Sequence, residues 1–256
     1  MLRLVLSLFR ISILLVWLLI GLLWLIVSQS GKYSSLHKVS IKIFARGVLA
    51  ISGVKLSVRG MISDLDKPVI LVSNHISWLD IFLIHATCAG FFVAKSEIKA
   101  WPLIGILVKK AGTIFIDRAS RKSLQAAIVE IKEVLQKSGI VVFFPEGTTS
   151  DGRKILPFHS GLFSIFIRNK KCQIVPVVIR YTQYSRFCKA PAFIGNMTFL
   201  TSVLSILRAR DLEAEVFFLE KVTSQEAIEF PDSLSRKIVA NKVRNAMQEH
   251  LQSTNC

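Results

Sequence analysis

Apolar residues fall along this chain in three successive textures. From residue 11 to 27 the segment ISILLVWLLIGLLWLIV carries no charge, and its extension back to Leu2 is broken only by Arg3, Ser7 and Arg10. A bilayer crossing takes about 20 apolar residues, so this run predicts a membrane-anchoring helix that either spans the bilayer or lies within one leaflet. Residues 36–51, LHKVSIKIFARGVLAI, then interleave apolar positions with Lys38, Lys42 and Arg46, the pattern of an interfacial helix. After Lys67 the texture changes to short apolar runs at 68–73, 91–95, 112–117, 139–144, 173–179 and 214–220. Runs that are apolar on both faces belong to a central sheet covered by helices. Two helices are legible beside them. One at 121–138 places Leu124, Ile128, Ile131 and Leu135 on a stripe and stops at Gly139; the other at 232–251 offers Leu234, Ile238, Val243 and Met247. The pattern therefore predicts an α/β fold, a central mostly parallel sheet flanked by helices, with an N-terminal membrane-anchoring segment. It divides into an anchor helix over 1–30, a basic interfacial helix and linker over 31–60, and the α/β domain over 61–256.

Charge narrows the setting. The chain holds 33 Lys+Arg against 17 Asp+Glu, a formal net charge of +16, which favours anionic partners. A mean hydropathy of +0.50 is too apolar for an ordinary nucleic-acid binder, and no basic-aromatic reading module is visible, so anionic membrane lipid is the better match. No acidic residue precedes Asp64, whereas Lys32, Lys38, Lys42, Arg46, Lys55 and Arg59 follow the apolar run. That bias keeps the flank on the cytoplasmic side of the cell membrane. A cleaved signal peptide is disfavoured by the length of the run and by SQSGKYSS, a poor cleavage site. Cys88, Cys172, Cys188 and Cys256 are scattered, without a CxxC pair, and predict neither a zinc site nor a disulfide framework.

Four blocks carry candidate chemistry. SNHISWLD, residues 73–80, follows the first strand; Ser73 or Asn74 is placed to cap the next helix. His75 stands at the strand's end, and Asp80, in the first helical turn, can reach back to one imidazole nitrogen and leave the other as a general base. GTIFIDR ends in Arg118, which suits either a clamp on an anionic headgroup or a salt bridge to Asp117. FFPEGTTSDGR ends a buried strand in a turn where Gly147 allows close backbone approach and Glu146 and Thr148 offer polar groups to a hydroxyl-bearing substrate. In IVPVVI, Pro176 interrupts a strand pattern and marks an edge, a bulge or a pocket wall.

Taken together and in this order, NHISWLD, GTIFIDR, FPEGTTS and IVPVVI resemble the four blocks of the glycerolipid acyltransferase family, typified by bacterial 1-acylglycerol-3-phosphate acyltransferase. The resemblance spans roughly residues 55–181. It implies that His75 is the general base and Asp80 its orienting partner. It also implies that Arg118, Glu146, Gly147 and Thr148 bind the acceptor, that Pro176 lines an acyl-chain or acceptor pocket, and that Lys95 lies near the acceptor phosphate. Many members carry EGTRS where this chain reads EGTTS, so Thr149 replaces an arginine suited to phosphate; the string EGTTSDGRKILPFHS looks like the branch that acylates lyso-ornithine lipid. The implied reaction moves a fatty acyl group from acyl carrier protein or acyl-coenzyme A to the sn-2 hydroxyl of 1-acylglycerol-3-phosphate, giving phosphatidic acid, with lyso-ornithine lipid as the alternative acceptor. It needs no resident cofactor and no metal. The absence of GxSxG, a P-loop, a dinucleotide glycine pattern and HExxH argues against a serine lipase, a nucleotide enzyme and a metalloprotease. A non-catalytic membrane tether has no use for His75 and Asp80 beside Arg118 and Glu146, and a lysolipid hydrolase needs no acceptor alcohol.

Overall fold

A computed structural model describes residues 2–27, 31–62, 67–101, 104–117, 120–137, 139–169, 171–223 and 232–254. The N-terminal apolar run folds as one helix, α1 (Leu2–Val27), and the basic segment as α2 (Ser35–Ser52). Ser34 caps α2 by accepting from the His37 N–H at 3.1 Å, and Gly53 ends it in the left-handed region at φ 72°. The two helices run antiparallel. Trp17 Nε1 donates to the Phe44 carbonyl at 3.0 Å and Trp24 Nε1 to Ser40 Oγ at 2.9 Å. Close approach depends on glycine: a Cβ on Gly47 would lie 2.4 Å from the Trp17 indole, and one on Gly21 2.3 Å from the Phe44 ring.

The sheet has the order β1-β8-β6-β2-β5-β3-β4. Its strands are β1 (Val54–Arg59), β2 (Val69–Ser73), β3 (Gly90–Lys95), β4 (Ile114–Ile116), β5 (Ile140–Phe143), β6 (Gln173–Gln183), β7 (Arg186–Phe187), β8 (Leu212–Phe218) and β9 (Val222–Thr223). β6, β2, β5, β3 and β4 are mutually parallel, β8 runs antiparallel to β6, and β7 and β9 pair with β6 off this path. The mostly parallel α/β architecture read from the sequence is present. The sheet nevertheless starts earlier than expected, because β1 lies inside the stretch read as interfacial helix and linker. VKLSVR buries only Val54 fully and sends Lys55 and Arg59 outward, so the strand lacks the two-sided apolar run that marks its neighbours.

Residues alternating along each strand feed two cores. Val69, Leu71, Val175, Val177 and Tyr181 face α1, α2, α3 (Leu79–Thr87) and α7 (Phe199–Arg208); Ile70, Val72, Ile174 and Val178 face α5 (Arg121–Gln136), α6 (Phe163–Arg168) and α8 (Asp232–Ser253). The short α4 (Ile104–Lys110) packs against α1. The stripe expected on the last helix is corrected. Val243 and Met247 are buried as expected, but Leu234 and Ile238 are 45% and 37% exposed, and Val239 and Leu251 complete the core face as an unbroken four-residue series. A five-residue step from Ile238 to Val243 turns the expected stripe away from one face. Cys88, Cys172 and Cys188 are buried free thiols, and Cys256 lies outside the described residues.

Candidate active site at the carboxyl edge of the sheet

β2, β5, β3 and β4 are parallel, so the residues that follow them emerge at one edge, the side on which open α/β sheets build their sites. His75 follows β2, Glu146 follows β5 and Lys95 closes β3. Arg118, two residues beyond β4, lies outside the described residues.

The turn after β2 is assembled from its hydrogen bonds. Neither Ser73 nor Asn74 caps α3, contrary to the sequence reading: the N-cap residue is Trp78, Ser77 Oγ accepts from the Leu79 N–H at 3.3 Å, and Ser73 Oγ donates to its neighbour's carbonyl at 3.0 Å. Asn74 is drawn instead to β6. Its Nδ2 donates to the Ile179 carbonyl at 2.9 Å and its Oδ1 accepts from the Ile179 N–H at 2.7 Å, so the amide imitates one more residue of β2 while the backbone turns away. The His75 N–H then donates to Glu146 Oε1 at 3.0 Å, and the His75 carbonyl accepts from the Ser150 N–H at 2.8 Å. Asp80 points back from the first turn of α3. Its Oδ2 lies 2.8 Å from His75 Nδ1 and accepts from the Ile76 and Ser77 N–H groups at 2.7 and 2.9 Å; its Oδ1 accepts from the Tyr181 hydroxyl at 2.7 Å.

An ionised carboxylate only accepts, so this contact assigns the proton of a neutral His75 to Nδ1 and leaves the Nε2 lone pair free. The His75 side chain is 20% exposed while that of Asp80 is fully buried, so the ring can meet a substrate from which its partner is sealed. Phe144 stacks on the imidazole at 4.0 Å between centroids and 12° between planes, fixing the ring's tilt, and Phe92 stands behind Phe144. Such a pair can accept a proton from a hydroxyl at Nε2 and stabilise the resulting imidazolium at Nδ1.

The third block is arranged differently. Glu146 is 4% exposed, with Oε1 on the His75 N–H and Oε2 on the Leu156 N–H at 3.1 Å. Burial pushes its carboxyl up to about 7, opposed by those two N–H groups and by the positive charge of Arg244. Arg244 in turn donates to the Ile155 and Leu156 carbonyls at 2.9 and 3.0 Å. In this structure Glu146 supports the turn beneath His75, since each of its oxygens accepts a backbone N–H. Gly147 adopts φ 70°, the left-handed conformation its turn requires, and Thr148 is exposed beside it. Thr149 donates its hydroxyl to the Phe193 carbonyl. Lys95 is exposed at the same edge. Pro176 stands apart: it is buried inside β6, in register with Val72, on the sheet face opposite Tyr181. Its missing N–H falls where β9 pairing has ended and β8 pairing has not begun, and its carbonyl accepts from Leu219.

Sequence reasoning thus placed His75, Asp80, Glu146, Gly147, Thr148 and Lys95 at one edge, and missed Tyr181 and Phe144. Tyr181 gave no local signal. Phe144 could have been suspected, because an aromatic two residues before Glu146 ends a strand adjacent to the one carrying His75.

A protein-family model described as Acyltransferase matches residues 55–180. The chain is 32% identical over 198 residues to the 1-acyl-sn-glycerol-3-phosphate acyltransferase of Neisseria meningitidis serogroup B, covering 76% of this chain and 77% of that one. It is 38% identical over 184 residues to the lyso-ornithine lipid O-acyltransferase of Rhodobacter capsulatus, covering 69% of this chain and 64% of the relative. Among solved structures, the 1-acyl-sn-glycerophosphate acyltransferase PlsC of Thermotoga maritima superposes with a TM-score of 0.68 over 97% of this chain and 95% of its own, at 23% identity. That likeness carries the fold.

Proposed function

The chain belongs to the glycerolipid acyltransferase family, and on that premise we propose that it transfers a fatty acyl group from a thioester donor to the sn-2 hydroxyl of 1-acylglycerol-3-phosphate. The observation that carries the mechanism is the imidazole of His75, held at Nδ1 by a buried carboxylate and free at Nε2. The acceptor hydroxyl gives its proton to Nε2 as its oxygen bonds to the thioester carbonyl carbon. The tetrahedral intermediate then expels the thiolate of coenzyme A or acyl carrier protein, which takes the proton back from the imidazolium. No enzyme-bound acyl group forms and no resident cofactor is required. Lys95 and Arg118 are assigned to the anionic headgroup, and Gly147 and Thr148 to the wall of the acceptor site.

A second acceptor, lyso-ornithine lipid, is favoured by Thr149. The hydroxyl at this position turns to the Phe193 carbonyl and supplies no cation for a phosphate.

The protein associates with membrane through α1. Packing of α1 along α2, α4 and α7 supports a helix lying in one leaflet with the catalytic body at its side, because a crossing helix would drag those elements into the hydrocarbon. Leu19 and Leu23 remain exposed on its outer face. The cations of the α2 segment support the cytoplasmic side of the inner membrane.

The test is to supply membranes carrying the protein with acyl carrier protein and coenzyme A thioesters against lysophosphatidate and lyso-ornithine lipid, and to identify the product by mass. His75→Ala should abolish transfer by about 10³-fold or more while the protein stays in the membrane. An active His75→Ala enzyme removes the mechanism, free fatty acid without an acceptor indicates a hydrolase, and lipid binding without turnover indicates a tether.

A further inference from the structure

The base of the proposed reaction depends on a carboxylate with two unlike oxygens. Asp80 Oδ2 collects the His75 Nδ1 contact and the Ile76 and Ser77 N–H groups, all from its own turn. Oδ1 has one partner, the Tyr181 hydroxyl at 2.7 Å, brought from 101 residues away. Both residues are sealed from solvent, Asp80 at 0% and Tyr181 at 1% exposure. The torsion that turns an aspartate's carboxyl plane is soft, with broad two-fold minima, so the helix backbone by itself does not decide how that plane lies. Two anchors on opposite oxygens do decide it. The carboxylate can only accept, so the phenol must donate. Burial and the Asp80 charge also push the phenol's pKa well above its usual range, which keeps it protonated at any working pH.

β6 grips the turn twice. Ile179 holds Asn74 through its backbone, and two residues on, facing the same core, Tyr181 holds Asp80 through its side chain. The His75 turn is thereby registered against a rigid central strand at both ends.

We infer that Tyr181 is a positioning residue for acyl transfer: its hydroxyl fixes Asp80 Oδ1 so that Oδ2 keeps the proton of His75 on Nδ1 and leaves Nε2 to the acceptor hydroxyl. The inference rests on the reading of His75 as the base. Phenylalanine fills the same volume, so Tyr181→Phe removes the donor while leaving the packing of the apolar layer in place.

The full-length enzyme in vesicles should be assayed as wild type, Y181F, D80N, the Y181F/D80N double variant and H75A, with lysophosphatidate and whichever thioester supports wild-type turnover. For Y181F, kcat per folded enzyme should fall about 10- to 100-fold with both KM values within about twofold of wild type. In the D80N background the same substitution should cost less than about threefold, because the phenol acts through that carboxylate. Wild-type kcat in Y181F, or an undiminished loss in the double variant, overturns the inference. Should Y181F fail to accumulate, fluorinated tyrosines at 181 keep the shape and alter donor acidity; kcat should then vary with that acidity, and an invariant kcat is equally fatal. Inactive H75A beside fully active Y181F removes Tyr181 alone, whereas active H75A removes the base itself.

Discussion

Two buried carboxylates stand in neighbouring turns at the same sheet edge and do different work. Asp80 gives one oxygen to a side chain that stays partly open to substrate, and it is anchored from both its own turn and β6. Glu146 gives both oxygens to backbone N–H groups, of His75 and Leu156. On the proposed mechanism, the difference separates orientation of the general base from construction of the frame beneath it. Residue type and motif membership do not distinguish the two. What distinguishes them is that Asp80 adds an imidazole and a phenol to its main-chain donors, whereas the donors to Glu146 are main chain.

Removing the charge from the orienting carboxylate should have the largest effect. Asp80→Asn is isosteric and can keep its amide oxygen on His75 Nδ1 and the two N–H groups of its own turn, so the turn survives without the phenol's help. The imidazolium then loses its counter-charge, and kcat should fall about 10³-fold with KM little changed. A loss of less than about tenfold in steady-state kinetics would place the general base elsewhere.

How much of this was legible from sequence follows the range of each contact. The strands at 68–73, 139–144 and 173–179 were legible because both faces are buried, which forces continuous apolar runs. The His75 to Asp80 pair was legible because five residues across a strand-to-helix turn is a local geometry. Asn74 was misread because asparagine before a helix usually caps it; here Ile179, 105 positions away, competes successfully for the amide. The bracing of the His75 turn by Glu146 was not legible, since its partners in the His75 and Leu156 backbone carry no sequence signature. β1 escaped because an edge strand buried on one side alternates weakly. Arg118 lies outside the described residues, and its expected role rests on the resemblance alone.

The supporting carboxylate should give a smaller and pH-dependent effect. In Glu146→Gln the amide NH2 must face either the His75 or the Leu156 N–H, donor against donor. That mismatch costs about 1–3 kcal/mol and slackens the His75 turn, for a fall of about tenfold in kcat. Stability carries a second signature. The folded carboxyl titrates at about 7 against an ordinary value of 4.5, so the folded state holds the proton more tightly between those limits. The group's contribution is present in full below 4.5 and is lost as pH rises through about 7. Glutamine does not titrate. The melting-temperature advantage of wild type over Glu146→Gln should therefore shrink from pH 4.5 to 7.5, by the equivalent of about 2–3 kcal/mol. A pH-independent difference would show that the buried carboxyl keeps one protonation state throughout.

Position 149, beside the His75 turn, should give the smallest change and the one most informative about substrate. Thr149 donates to the Phe193 carbonyl, and the Phe193 N–H donates to the Ile76 carbonyl at 2.9 Å, so the threonine braces the His75 turn from its outer side. Thr149→Arg removes that brace and adds a guanidinium that can pair with phosphate in a bidentate contact. Against lysophosphatidate the added cation should lower KM by about three- to tenfold while kcat falls slightly, since the turn loses one hydrogen bond among many. Against lyso-ornithine lipid, which offers no phosphate, only the small kcat loss should remain. Measuring kcat/KM for both acceptors on one preparation yields a ratio that cancels errors in enzyme concentration. An unchanged ratio would mean that residue 149 braces the turn without facing the headgroup, and that acceptor choice is made by the cations at Lys95 and Arg118.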